Sequence, residues 1–227
     1  MNAGHRPDRV RGGLEVLGRP SWPELRRRLP RLVLGILVLG VGVAATVQAE
    51  LGISPYDVLH QGIARVTGID FGVVVIGLGL LILLLWFPLG QPFGVGTIAN
   101  VLTVGLVIDA ALGVLPHVEP LAVRIPLLLG GTVLIGLGAG LYIGAGLGPG
   151  PRDGLMTAFA RRGHPLWLVR TVLEFSALAV GFVLGGDVGI GTVLIACSIG
   201  PLAHGFLARL HLGVRGADPQ LGASLGE

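Results

Sequence analysis

Between residues 32 and 208 the sequence carries several apolar runs of roughly 18 residues or more, the signature of membrane-spanning helices. A soluble chain of 227 residues has room for one domain core, not for five or six wholly apolar helices. The solvent for this fold is lipid, and the fold class that follows is all-α integral membrane. Charge usage agrees: 13% of the residues are charged, about half the ~25% of soluble domains.

Six spans are predicted, at about 31–50, 70–88, 95–114, 124–146, 166–185 and 189–208, each close to the ~20 residues a bilayer core needs. Two short amphipathic helices, about 55–66 and 151–162, are too short to cross and must lie at the interface or dip in and return. Residues 1–30 read as a mostly disordered cytoplasmic tail with a short interfacial helix around Trp22–Leu29, and residues 212–227 as a second cytoplasmic tail. The membrane part divides into units 31–114 and 120–208.

The arginines orient this layout. Arg26, Arg27, Arg28 and Arg31 set the N-terminus in the cytoplasm. Counting six crossings, Arg152, Arg161 and Arg162, and then Arg209 and Arg215, fall on the same side. Trp86 and Trp167 fall at cytoplasmic span ends, where an aromatic belt is expected. The expected location is a bacterial plasma membrane, with both termini inside. A cleaved signal peptide ending near Val47-Gln48-Ala49 is rejected, because this segment recurs later in the chain, where none could be.

That recurrence organises the sequence. Leu51-Gly52-Ile53-Ser54-Pro55-Tyr56-Asp57-Val58-Leu59 aligns with Leu147-Gly148-Pro149-Gly150-Pro151-Arg152-Asp153-Gly154-Leu155, sharing L-G-x-x-P-x-D-x-L. Gly40 and Gly42 then meet Gly136 and Gly138, and Arg65 meets Arg161. After the loss of one residue, Gly94-Val95-Gly96-Thr97 meets Gly189-Ile190-Gly191-Thr192. Each copy holds three spans and one short helix. Three is odd, so the second copy enters from the opposite side, giving inverted repeats of the kind found in secondary transporters. If the short helices crossed, the repeats would be parallel; the arginine distribution disfavours that.

The repeated motif reads first as a helix start. Ser54, Pro55 and Asp57 fit N-cap, N1 and N3, and Gly150, Pro151 and Asp153 take the same places. The second reading is that irregular backbone and a half-helix N-terminus line a cavity at depth, which makes Asp57 and Asp153 site candidates. Both readings can hold together. Tyr56 and Arg152, the same position in the two copies, join the candidate set. Thr97 and Thr192 open the third span of each copy, where their hydroxyls either bond backbone within the helix or reach a substrate.

The glycines of the first span of each copy predict close packing of those two spans. Asn100 and Asp109 lie on opposite faces of one span, so only one of them faces a shared cavity; Asn100 is kept as a candidate. Arg170 and Glu174 stand at i, i+4 and predict an internal ion pair. His204 aligns with Asp109 across the copies, which would suit a proton-coupled pair. His60 and His204 lack metal-ligand spacing, Cys197 is the single cysteine, and no cofactor or metal is expected. A Tyr-Asp pair at Tyr56-Asp57 is a feature of intramembrane aspartyl proteases, but the partner G-x-G-D motif is missing. A basic stripe laced with aromatics is also missing, which excludes nucleic-acid binding.

With L-G-x-x-P-x-D-x-L repeated and G-x-G-T after it, the sequence resembles the YczE/YyaS/YitT family of bacterial membrane proteins over about residues 32–208, closest to the YczE type. The matching positions are Gly52, Pro55, Asp57, Gly148, Pro151 and Asp153. The resemblance implies a polytopic membrane protein, with an exporter role suggested for relatives and some members associated with antibiotic or lipopeptide biosynthesis loci; it brings no substrate. The expected partners are the lipid bilayer and a small-molecule substrate. The expected function is a small secondary transporter or exporter working by alternating access. The alternative is a non-transporting scaffold that assists a biosynthetic or membrane complex. An enzyme is not expected, for want of a nucleophile–base or metal set.

Overall fold

The structure is a computed structural model that describes residues 22–210. The tail readings for residues 1–21 and 212–227 lie outside the described residues. Eight helices follow in order: α1 Trp22–Gln48, α2 Pro55–Thr67, α3 Phe71–Leu89, α4 Val95–Val114, α5 Leu121–Gly144, α6 Pro151–Ala160, α7 Leu166–Val183 and α8 Ile190–Leu210. Six of them, all but α2 and α6, are long and apolar enough to cross a membrane. Among the described residues every regular element is helical.

One boundary differs from the sequence reading. Residues 22–30 are the first turns of α1 itself rather than tail or a separate interfacial helix. Pro23 occupies the first turn, where a missing amide costs nothing, and Glu24 pairs with Arg28 at 3.8 Å across one turn. The 27-residue helix is about 40 Å long at 1.5 Å per residue, more than the ~30 Å hydrocarbon core. Its Arg-bearing turns therefore extend beyond the hydrocarbon or the helix tilts.

The centre of the molecule is the α1–α5 contact, made by small residues. A methyl added at Gly42 would lie 2.9 Å from the Gly131 carbonyl oxygen, and one at Gly138 would lie 2.8 Å from that of Gly35. Backbones this close gain dispersion contact that lipid tails cannot match. Gly40 instead receives Val107 of α4, and its counterpart Gly136 receives Leu202 of α8. Gly130 faces open space. Leu32, Ile36, Val43, Ile108 and Ile135 fill the core between these helices.

The two short helices pack on long helices of the other copy. Gly181 of α7 admits α2, since a methyl there would lie 2.4 Å from the Leu59 amide. Gly154 of α6 admits Trp86 of α3, whose indole leaves no room for a methyl at that position. Trp86 is consequently fully buried and donates from Nε1 to the Pro151 carbonyl at 3.2 Å. The sequence expectation of a Trp86 in an interfacial belt is corrected: the glycine opposite gives the ring a dry slot, and the carbonyl satisfies its N–H. Trp167 is 69% exposed.

Candidate functional site

Each L-G-x-x-P-x-D segment makes a tight turn and then starts a short helix. Gly52 and Gly148 take φ of +99° and +126°, a region open to glycine and strained for other residues. The turns let the carbonyls of Leu51 and Leu147 reach across the molecule. The Gly191 amide donates to Leu51 at 2.8 Å, and the Gly96 amide donates to Leu147 at 2.7 Å. Equivalent residues thus make equivalent, reciprocal bonds.

The G-x-G-T starts of α4 and α8 are consumed by this contact. Thr97 is fully buried; its hydroxyl accepts from the Gly94 amide at 3.4 Å and donates to the Pro149 carbonyl at 2.8 Å. Thr192 is 3% exposed and accepts from the Gly189 amide at 3.2 Å. Both threonines cap their own helices, and Thr97 also ties its helix to the turn of the other copy.

Ser54 caps α2. Its hydroxyl donates to Asp57 Oδ2 at 2.5 Å and accepts from the Asp57 amide at 3.3 Å. Asp57 Oδ1 stands 3.2 Å from Nδ1 of His60, one turn further on. Both Asp57 and His60 are buried, and the imidazole packs edge-on against Phe71. In the second copy glycine replaces serine at the cap, and Tyr142 of α5 supplies the hydroxyl from a distance. It donates to Asp153 Oδ2 at 2.7 Å and accepts from the Gly150 amide at 3.1 Å.

Tyr56 and Arg152 meet. The guanidinium carbon lies 5.0 Å from the centre of the Tyr56 ring, within cation–π range. Arg152 Nη2 donates to Glu174 Oε1 at 2.6 Å, and Arg170 Nε reaches the same oxygen at 3.2 Å. Arg152 Nε is enclosed and has no hydrogen-bond partner among the described residues. Glu174 lies about 12 Å along α7 from Leu166, near the middle of the roughly 27 Å that an 18-residue helix spans. A methyl added at Gly79, well inside α3, would lie 3.8 Å from the Pro151 side chain, so Pro151 packs level with the middle of α3. The N-terminal ends of α2 and α6 therefore converge against the middles of long helices.

The far end of each short helix is held just beyond the C-terminus of a long helix of the other copy. Arg65 of α2 binds Asp187, beyond the C-terminus of α7, through two nitrogens at 2.8 and 2.5 Å, and Gln61 exchanges bonds with Asp187 at 3.0 and 2.6 Å. Hydrogen bonding to that carboxylate pushes the Arg65 guanidinium further up from its ordinary value. Arg161, the counterpart of Arg65, binds the Gln91 side chain beyond the C-terminus of α3, and Gln91 donates to Thr157 at 3.1 Å.

The structure brings Ser54, Tyr56, Asp57, Arg152 and Asp153 into one neighbourhood, while Thr97 and Thr192 serve the helix starts. Asn100 is 7% exposed on α4, and its side chain makes no hydrogen bond among the described residues. Asp109 accepts from the Gly72 amide at 2.6 Å, and His204 is exposed, so the two counterparts do different things. Sequence reasoning missed Tyr142 and His60, and it missed Arg152 as a partner of the Arg170–Glu174 pair. His60 was readable as the i+3 neighbour of Asp57; nothing local marks Tyr142. No group of His, Cys, Asp and Glu side chains that could hold a metal ion occurs among the described residues.

A protein family described as a family of unknown function (DUF6198) matches residues 26–208. An uncharacterized protein of Haemophilus influenzae is 37% identical over 201 residues, covering 86% of this chain and 92% of the relative. The uncharacterized membrane protein YczE of Bacillus subtilis is 35% identical over 170 residues, 73% of this chain and 79% of the relative. The uncharacterized protein YyaS of the same organism is 32% identical over 180 residues, 77% and 89% of the two chains. No solved structure matches. With matches that run from the first span to the last, this multi-pass membrane protein belongs to the YczE-like family of bacterial membrane proteins.

Proposed function

We propose that the protein is a small secondary transporter of the bacterial plasma membrane, working by alternating access between two inverted repeats, with both termini cytoplasmic. The observation that carries this reading is the convergence of two short helices, one from each copy, at Tyr56 and Arg152 beside Glu174. Charged side chains at that depth are costly unless they face a wet cavity or one another. Broken helices meeting at mid-depth between repeats are how transporters build a site that both faces can reach. The reciprocal bonds of Leu51 to Gly191 and Leu147 to Gly96 support a two-fold relation. Three spans per copy make that relation an inversion, and α2 and α6 are then re-entrant.

The Arg65–Asp187 and Arg161–Gln91 contacts, which this inversion would put on opposite faces of the membrane, are suited to close the two sides in turn. The test is side-specific labelling of single-cysteine variants at Ser54, Asp57, Gly150 and Asp153, with the native Cys197 replaced by alanine. Alternating access requires each segment to react with a membrane-impermeant thiol reagent, and the accessible side to switch when Arg65 or Arg161 is replaced by alanine. Segments that react from neither side, in any variant, would sink the reading and leave a scaffold role.

A further inference from the structure

We infer that the ligand of this site carries a carboxylate, and that Arg152 Nε together with the Tyr56 hydroxyl recognises it; this rests on the transporter reading above. Arg152 offers five N–H donors in a planar fork. One nitrogen serves Glu174 at 2.6 Å, while Nε is enclosed with no acceptor among the described residues. A buried charged donor left without a partner is costly, so such a donor marks a place where an acceptor belongs.

The protein's own acids do not fill that place. Glu174 Oε1 is already shared by two guanidinium groups, Arg152 and Arg170. Asp153 Oδ2 is engaged by the Tyr142 hydroxyl, and both oxygens of Asp57 are engaged, by Ser54 and His60. These carboxylates supply the counter-charge that keeps Arg152 and Arg170 tolerable at depth, but no acceptor on Nε.

Access and orientation point the same way. Arg152, bonded to Glu174 near the middle of α7, keeps 27% of its side-chain exposure, and Arg170, one turn nearer the start of α7, keeps 31%; a lipid-facing charge at the depth of Glu174 would be heavily penalised. The Tyr56 ring stacks on the guanidinium, and its hydroxyl makes no hydrogen bond among the described residues. The N-termini of α2 and α6 add their positive ends to the same locus. A planar fork presenting parallel N–H groups matches the two oxygens of a carboxylate, and the tyrosine hydroxyl adds a donor from the side.

The test uses the full chain in lipid nanodiscs, with equilibrium binding and thermal midpoint read during titration with benzoate, its neutral isostere benzamide, and inorganic phosphate. Saturable stabilisation by benzoate, absent with benzamide and weaker with phosphate, is expected. Arg152→Gln should weaken benzoate at least about tenfold, consistent with loss of charge-assisted bonds. Tyr56→Phe, which keeps the stacked ring, should weaken it by about three- to tenfold while the unliganded midpoint stays put. Equal effects of benzoate and benzamide, preference for phosphate, no saturable binding, or unchanged affinity in Tyr56→Phe would overturn the assignment. Because binding is read without flux, benzoate binding without transport in proteoliposomes would sink the transporter reading alone. Transport of a neutral compound without benzoate binding would sink the carboxylate alone.

Discussion

Tyr56 and Arg152 occupy the same position in the two halves of the sequence, and they touch: the guanidinium carbon lies 5.0 Å from the ring centre. Under a two-fold relation, a residue that meets its own counterpart sits on the axis. Two arginines there would repel at close range in a poorly screened environment, whereas arginine over tyrosine attracts. An arginine in one copy and a tyrosine in the other suit this contact. Tyr56→Ala should cost about 1–2 kcal/mol of stability. Tyr56→Arg should be worse than alanine, and Tyr56→Trp close to neutral. Thermal midpoints of the purified variants rank the three.

Gly52 and Gly148 carry positive φ in a crowded turn. A methyl at Gly52 would lie 2.5 Å from the Gly189 amide nitrogen, and one at Gly148 would lie 2.5 Å from Thr97 Oγ1. Strain of about 1–3 kcal/mol adds to overpacking of similar size. Gly52→Ala and Gly148→Ala should each destabilise by about 2–4 kcal/mol, read as lost monodisperse protein and a lowered midpoint. Wild-type behaviour in either variant would refute the reading of these turns.

Two glycines on α5 make an internal control. Gly138 presses on the α1 backbone, and Gly130 has nothing within 4 Å. Gly138→Ala should cost about 1–3 kcal/mol through overpacking. Gly130→Ala should be neutral or stabilising by up to about 1 kcal/mol, since alanine is the better helix former. Equal loss of stability in both would remove the packing argument.

Tyr142 holds two groups with one oxygen, the Asp153 carboxylate and the Gly150 amide. Tyr142→Phe leaves both short of a partner and should cost about 1–3 kcal/mol. Combined with Asp153→Asn, the losses should fall short of additive, because the two residues share one interaction. A double-mutant cycle on thermal or denaturant midpoints measures the coupling.

Arg65 and Asp187 are roughly half exposed, at 49% and 43% of their side-chain area. An ion pair in that setting contributes at most about 1 kcal/mol. Asp187→Asn should therefore change stability little. The reciprocal exchange Arg65→Asp with Asp187→Arg should restore any labelling pattern that either single variant disturbs. A large stability loss on Asp187→Asn would show that Gln61, not Arg65, is the partner that matters at this end.

The residues explain why some of this was legible in sequence and some was not. The start of α2 was readable because Ser54, Pro55 and Asp57 act within three residues of one another, and a cap is a local contest won by short polar side chains. The start of α6 lacks the serine, so its stabilising hydroxyl comes from Tyr142 on another helix. Trp86 misled for the same kind of reason. Position in a span predicts an interfacial ring, but a single glycine, Gly154, far along the chain, provides an interior slot.

The sequence by itself determined the solvent of the fold, the six long helices, the two short ones and the doubling of the unit. These follow from apolar run length and local capping, which are written in consecutive residues. Tertiary structure alone decided who meets whom. It set Arg152 on Glu174 and Tyr56, put Trp86 inside, and tied the threonines of G-x-G-T into helix starts, Thr97 also bonding the turn of the other copy. In a lipid solvent apolar side chains gain little by choosing one another. Pairing is therefore left to small residues and a few polar groups, and those partners lie on other helices.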